Sequence, residues 1–86
     1  MPLTREYTIE VAKSVQWSIP MLGTLKDRAQ IAERIDALAR IPRPAGAKRI
    51  DCGIPNVHRI GYGRHMILYQ VLDEDMRIVV LAIGEA

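Results

Sequence analysis

The feature that most constrains this fold is a pair of strand-like segments joined by a two-residue turn. Val57–Tyr62 and His65–Val71 flank Gly63–Arg64, and glycine at the first central position suits a type II′ β-hairpin. A turn of that length fixes the pairing of the two strands, so that Arg59 lies opposite Leu68. The sequence therefore predicts an antiparallel hairpin of known register in the second half of the chain.

Strand alternation sorts the hairpin into two faces. One face carries Val57, Arg59, Gly61, Met66, Leu68 and Gln70. The other carries His58, Ile60, Tyr62, His65, Ile67, Tyr69 and Val71. Because the second face has more large groups, we expect it to pack on the rest of the domain and the first face to stay open.

Two helices are predicted upstream of the hairpin. Residues 12–16 can begin a short helix that Pro20 interrupts. A helical stripe of apolar residues runs over Leu25–Ile41, with Thr24 and Asp27 placed as a capping box, and prolines follow it.

Three further strands complete the pattern: alternating Tyr7–Val11, short Lys48–Ile50, and Arg77–Ile83. The last is apolar on both faces, which predicts an interior strand. The order β-α-α-β-β-β-β predicts an α+β fold, a small antiparallel-rich sheet with two N-terminal helices packed on one face.

The length of 86 residues suits one domain over residues 1–86. The longest apolar run, Ile78–Ile83, is far short of the roughly 20 residues of a membrane span. Cys52 has no partner for an internal disulfide, and no apolar stretch of signal-peptide length begins the chain. These features predict a cytoplasmic protein.

The formal net charge of +2 is unevenly distributed. Between residues 44 and 71, Lys48, Arg49, Arg59 and Arg64 outnumber one carboxylate, whereas residues 72–86 are acidic. Two interpretations stay open: a basic face that meets phosphate, or chance combined with a solvated acidic turn at residues 72–76.

The order and spacing of these segments resemble the RelE/ParE superfamily, the toxins of bacterial type II toxin–antitoxin systems. The resemblance is carried by Tyr7–Ser14, Arg34–Pro44, Gly46–Ile50, Val57–Val71 and Val79–Gly84.

The resemblance implies a partner and one of two activities. RelE-like members cleave mRNA in the ribosomal A site without metal or other cofactor, and ParE-like members inhibit DNA gyrase. Both are neutralised by a cognate antitoxin. Our first expectation is ribosome-dependent mRNA cleavage. The alternative is a non-catalytic protein, either a gyrase inhibitor or a degenerate toxin that only binds its antitoxin.

The resemblance also implies site residues. Arg59 is the expected catalytic residue, and Lys48, Arg49, Arg59 and Arg64 are the expected RNA-binding residues. The pattern departs from the family at Gly61 and Met66, where basic residues are usual, and at Glu85, where the family usually continues with a basic residue. Each missing cation would remove transition-state stabilisation.

Three other side chains have competing interpretations. His58 and His65 share a face of neighbouring strands, so a metal pair is conceivable, but two semi-buried structural histidines are favoured. Tyr69 is expected in the core with its hydroxyl hydrogen-bonded, rather than as a catalytic group.

Overall fold

The computed structural model describes residues 6–18 and 23–85, with the backbone alone at residues 17 and 18. Its elements are β1 (Thr8–Val11), α1 (Lys13–Ser18), α2 (Leu25–Leu38), β2 (Lys48–Ile50), β3 (Val57–Tyr62), β4 (His65–Leu72) and β5 (Arg77–Glu85). The predicted order of helices and strands is confirmed. The predicted interruption at Pro20 lies outside the described residues.

The five strands form one sheet in the order β1-β5-β4-β3-β2. The first and last strands pair in parallel, and the other neighbours pair antiparallel. β5 therefore lies between two strands, as the apolar character of both its faces predicted.

The β3–β4 hairpin has the register that its turn predicted. Arg59 pairs with Leu68, and Gly61 pairs with Met66. One feature was not predicted: β4 and β5 change register between Leu68 and Tyr69, which leaves Leu81 of β5 without a direct partner. A bulge of this kind raises the local twist of the sheet.

The core lies between the two helices and one face of the sheet. Its buried members are Val15, Ile31, Ile35, Leu38, Ile60, Ile67, Tyr69, Val71, Ile78 and Val80. The face predicted to pack on the helices does so. Val57 differs from its companions on the other face, because it is fully buried. Its cross-strand partner Gln70 donates a side-chain hydrogen bond to the Pro55 carbonyl (3.1 Å), so the loop before β3 packs against this end of the open face.

Helix α2 begins with the predicted capping box. The Thr24 hydroxyl accepts from the Asp27 amide, and the Asp27 carboxylate accepts from the Thr24 amide, both at 3.1 Å. The helix ends at Leu38, earlier than the predicted Ile41, where the Ala39 and Arg40 amides bond to carbonyls three residues back. The Ala39 carbonyl accepts from the Tyr7 amide (2.8 Å) instead of a helical amide. No helix among the described residues has the length and apolar content to cross a membrane.

Candidate functional site

Two cations face each other on the open side of the sheet. Lys48 of β2 is the direct cross-strand partner of Arg59 of β3, and both side chains are exposed. Within the described part of the chain, neither forms an ion pair or a hydrogen bond. The strand pairing thus brings together two of the four predicted RNA-binding residues and leaves their charges available to a ligand.

This pair borders a groove of about 240 Å³ whose other lining residues are Gly46, Gly61 and Met66. Four larger grooves along the described residues each contain a carboxylate, from Asp51, Glu10, Asp27 or Asp36. In the smaller groove the charged residues are Lys48 and Arg59, both cations. Among these five grooves, it is therefore the one whose charge suits a phosphodiester.

The groove floor continues as a row of three residues across the sheet. Met66 of β4 pairs with Gly61 on one side and with Gly84 of β5 on the other. A Cβ atom built on Gly61 would meet nothing closer than the His65 carbonyl oxygen at 4.0 Å, and one on Gly84 would meet nothing within 4 Å. Met66 is therefore flanked by uncovered backbone on both sides.

The other two predicted RNA-binding residues lie apart from the groove. Alternation along β2 places Arg49 on the opposite face from Lys48, paired with His58. Arg64 is at the tip of the β3–β4 turn and lines a different groove, together with Asp27 near the start of α2. The four cations do not form one continuous surface.

Both histidines are buried on the helix side of the sheet. His58 is 8% exposed and stacks on the Tyr69 ring, with centroids 5.7 Å apart. His65 is 6% exposed, and its Nε2 atom has no hydrogen-bond partner among the described residues. Their position, on the face away from Lys48 and Arg59, keeps imidazole out of the groove.

Tyr69 has the core role expected from the sequence. Its ring is fully buried, and its hydroxyl donates to the Pro42 carbonyl oxygen (2.7 Å). Burial raises the pKa of this phenol. The hydrogen bond also fixes the connection between α2 and β2, the segment that carries Gly46 and Lys48 into the groove.

A second anchor of this connection was missed by sequence reasoning. The Arg43 guanidinium donates to both carboxylate oxygens of Asp73, at 2.8 and 3.3 Å, and the Tyr7 hydroxyl donates to the same carboxylate at 2.6 Å. The segment 72–76, interpreted as a solvated acidic turn, thus supplies an acceptor that ties three parts of the chain together. In the sequence, Arg43 and Asp73 are single charges 30 residues apart, and no local pattern indicates that they pair.

These contacts shift the pKa values of all three groups. The hydrogen bonds from Arg43 and then Tyr7 lower the pKa of Asp73 to about 2. The Asp73 carboxylate raises the pKa of Arg43 and of Tyr7, because it accepts a hydrogen bond from each protonated group. Elsewhere, the hydrogen bond from the Thr24 amide lowers the pKa of Asp27 in the capping box.

Structural comparison finds the same fold in solved toxins. The RelBE2 toxin–antitoxin complex of Mycobacterium tuberculosis matches with a TM-score of 0.82 and 19% identity, over 95% of this chain and 93% of that chain. The archaeal RelE–RelB complex of Pyrococcus horikoshii OT3 matches with a TM-score of 0.81 and 19% identity, over 93% and 94%. The isolated E. coli RelE toxin matches with a TM-score of 0.78 and 22% identity, over 93% and 84%.

Sequence comparison supplies the family. No curated protein matches the chain. The family model described as the ParE toxin of type II toxin–antitoxin system, parDE, matches residues 12–86. This range contains both helices and every strand except β1. With the mixed five-stranded sheet and two helices of the RelE-like fold in place, the chain belongs to this toxin family of type II toxin–antitoxin systems.

Proposed function

We propose that this toxin inhibits translation by cleaving mRNA on the ribosome, and that Lys48 and Arg59 bind the RNA phosphates. The observation that carries the proposal is their direct pairing across β2 and β3, with both charges exposed and unpaired among the described residues. Two unpaired cations beside a groove attract a polyanion through counterion release.

The cleavage chemistry assigned to this groove needs no metal. The 2′-oxygen of one nucleotide attacks the adjacent phosphorus as its proton passes to water. The bond to the 5′-oxygen breaks as that oxygen takes a proton from the Lys48 ammonium, which water then reprotonates, and a 2′,3′-cyclic phosphate and a 5′-hydroxyl result. Arg59 neutralises the charge that develops on the phosphate. Lys48 is the other groove residue with N–H donors, and the proposal assigns it to the departing 5′-oxygen, since Gly46, Gly61 and Met66 have no polar side-chain group.

A second candidate is inhibition of DNA gyrase without RNA cleavage. It is favoured by Gly61 and Met66, which contribute no charge and no proton donor to the groove. The family model that matches the chain also carries the name of the ParE toxin. Under this candidate the open face of the sheet binds a protein target, and Lys48 and Arg59 form part of that contact.

Both candidates require the same regulation and compartment. A cognate antitoxin neutralises the toxin, in keeping with the solved relatives that are complexes of RelE with RelB. Ribosomes and gyrase are both cytoplasmic, so the proposed site of action is the cytoplasm.

Expression of the chain in a bacterial host, with and without the neighbouring open reading frame, tests the toxin assignment. We expect growth arrest that the neighbour relieves. In a reconstituted translation system, the proposal predicts new mRNA 5′ ends only when ribosomes are present. Loss of gyrase supercoiling with intact mRNA would select the second candidate, and intact mRNA with unaffected gyrase would overturn both.

A further inference from the structure

The two glycines beside Met66 are not required by the backbone. Neither Gly61 nor Gly84 has a positive φ, and a Cβ atom at either position has room. Glycine inside a strand weakens it, because it loses more conformational freedom on folding and has no side chain to pack. Two of them around one methionine, in a single row across β3, β4 and β5, therefore indicate a purpose other than folding.

Bare backbone in a strand allows a ligand to approach closely. On each side of Met66 the backbone carries no side chain, and the half-buried thioether lies between the two glycines. Methionine sulfur and methyl groups make favourable contacts with aromatic rings. The row therefore suits a planar aromatic group.

The position of this row relative to the cations narrows the class of ligand that the site can bind. Gly61 and Met66 line the same groove as Lys48 and Arg59. A floor of bare backbone and one thioether next to two cations matches one nucleotide, with a planar base and an anionic phosphate.

We propose that Gly61, Met66 and Gly84 form a floor that accepts one unpaired base of RNA while Lys48 and Arg59 hold its flanking phosphate. This inference rests on the proposed RNA-directed function and adds the base to it. The floor side chains carry no group that reads a base edge, so recognition depends on ring area and favours purines over pyrimidines.

Titration of the purified chain with adenosine 5′-monophosphate and with ribose 5-phosphate tests the floor. The two ligands share the phosphate and differ in the base. We expect the nucleotide to bind about two- to tenfold more tightly, the range of sulfur–aromatic contacts, and to shift the Met66 methyl resonance. Gly61→Val should abolish this preference, and its thermal midpoint should show that it folds, because valine favours strands and the site has room.

Thr8→Val is the matched control. Thr8 is exposed on β1, the edge strand farthest from β2 and β3, and the substitution likewise adds an apolar valine to the surface of a strand. It should keep the preference for the nucleotide.

Three results would overturn the proposal. The first is equal affinity for the two ligands, which would leave the phosphate contact standing. The second is an unchanged preference in Gly61→Val. The third is a Met66 methyl shift caused by antitoxin peptide and not by nucleotide, which would assign the floor to a protein. Failure of the proposed function looks different: the base preference would be present while ribosome-bound mRNA stayed intact.

Discussion

Lys48 lies directly opposite Arg59 across the β2–β3 ladder, so two like charges are held side by side in the folded state. Like charges in this arrangement destabilise a sheet. Neither charge is offset by a carboxylate within the described residues. This unfavourable pairing of like charges lies where the groove is formed. Departures of this kind from stable folding are expected at functional sites.

Lys48→Gln should therefore stabilise the fold while it weakens the site. Relief of the repulsion predicts a gain of about 0.2–1 kcal/mol in the free energy of unfolding, measured by urea denaturation at low ionic strength. Arg49→Gln is the control, because Arg49 lies on the other face and pairs with His58. A loss of stability in Lys48→Gln, or an equal gain in Arg49→Gln, would contradict this account.

The salt dependence of RNA binding should report the same two cations. For single-stranded nucleic acid, the slope of log K against log salt falls by about 0.7 for each phosphate contact removed. We expect that change in Lys48→Gln and in Arg59→Gln, measured by fluorescence anisotropy with a short labelled RNA. An equal reduction of the slope in Arg49→Gln and Arg64→Gln would contradict this prediction. It would show that RNA contacts all four residues that the sequence indicated.

Restoring a cation at position 66 should increase cleavage. The family usually has arginine there, and Met66 lines the groove beside Lys48 and Arg59. One correctly placed donor to the transition state contributes on the order of 10²-fold, so Met66→Arg should raise the rate of ribosome-dependent mRNA cleavage by up to that factor. Met66→Leu keeps the apolar volume and serves as the control; an equal rise in Met66→Leu would refute the electrostatic reason.

The Asp73 anchor predicts a defined pH dependence of stability. The folded-state pKa of Asp73, about 2, lies below the ordinary value of about 3.9. The carboxylate therefore stabilises the fold fully above about pH 4, and this contribution is lost as the pH falls toward 2. Asp73→Asn should be less stable than the parent at pH 7, and the difference should shrink through that window.

Glu74→Gln removes the same charge from the same turn and is the control for Asp73→Asn. Urea denaturation at several pH values measures both variants. A difference between Asp73→Asn and the parent that stays constant from pH 5 to pH 2 would show that the contacts with Arg43 and Tyr7 do not depend on the carboxylate charge.

The fold could be predicted because its strongest signals are local. The Gly63–Arg64 turn set the hairpin register, and Thr24 with Asp27 marked the start of α2. What could not be predicted depends on contacts between distant residues. The Ala39 carbonyl at the end of α2 bonds to the Tyr7 amide, and the register shift beside Tyr69 depends on how β5 fits between its two neighbours.

The candidate site was predictable only in part, for a related reason. Lys48 and Arg59 meet because of β2–β3 pairing, and the two-residue turn fixes the register of β3 and β4 but says nothing about β2. Arg49, next to Lys48 in sequence, points to the other face by strand alternation. Burial of Val57 on the open face depends on the long loop before β3, whose path the sequence pattern does not specify.

Cleavage of ribosome-bound mRNA by the parent chain and by the Lys48→Gln/Arg59→Gln double variant tests the central claim most directly. Reconstituted translation with mapped mRNA 5′ ends gives the readout, and the Arg49→Gln/Arg64→Gln double variant removes two positive charges elsewhere. The account predicts ribosome-dependent ends with the parent chain and with the control variant, and none with Lys48→Gln/Arg59→Gln. Equal cleavage by all three proteins, or none by the parent, would contradict it.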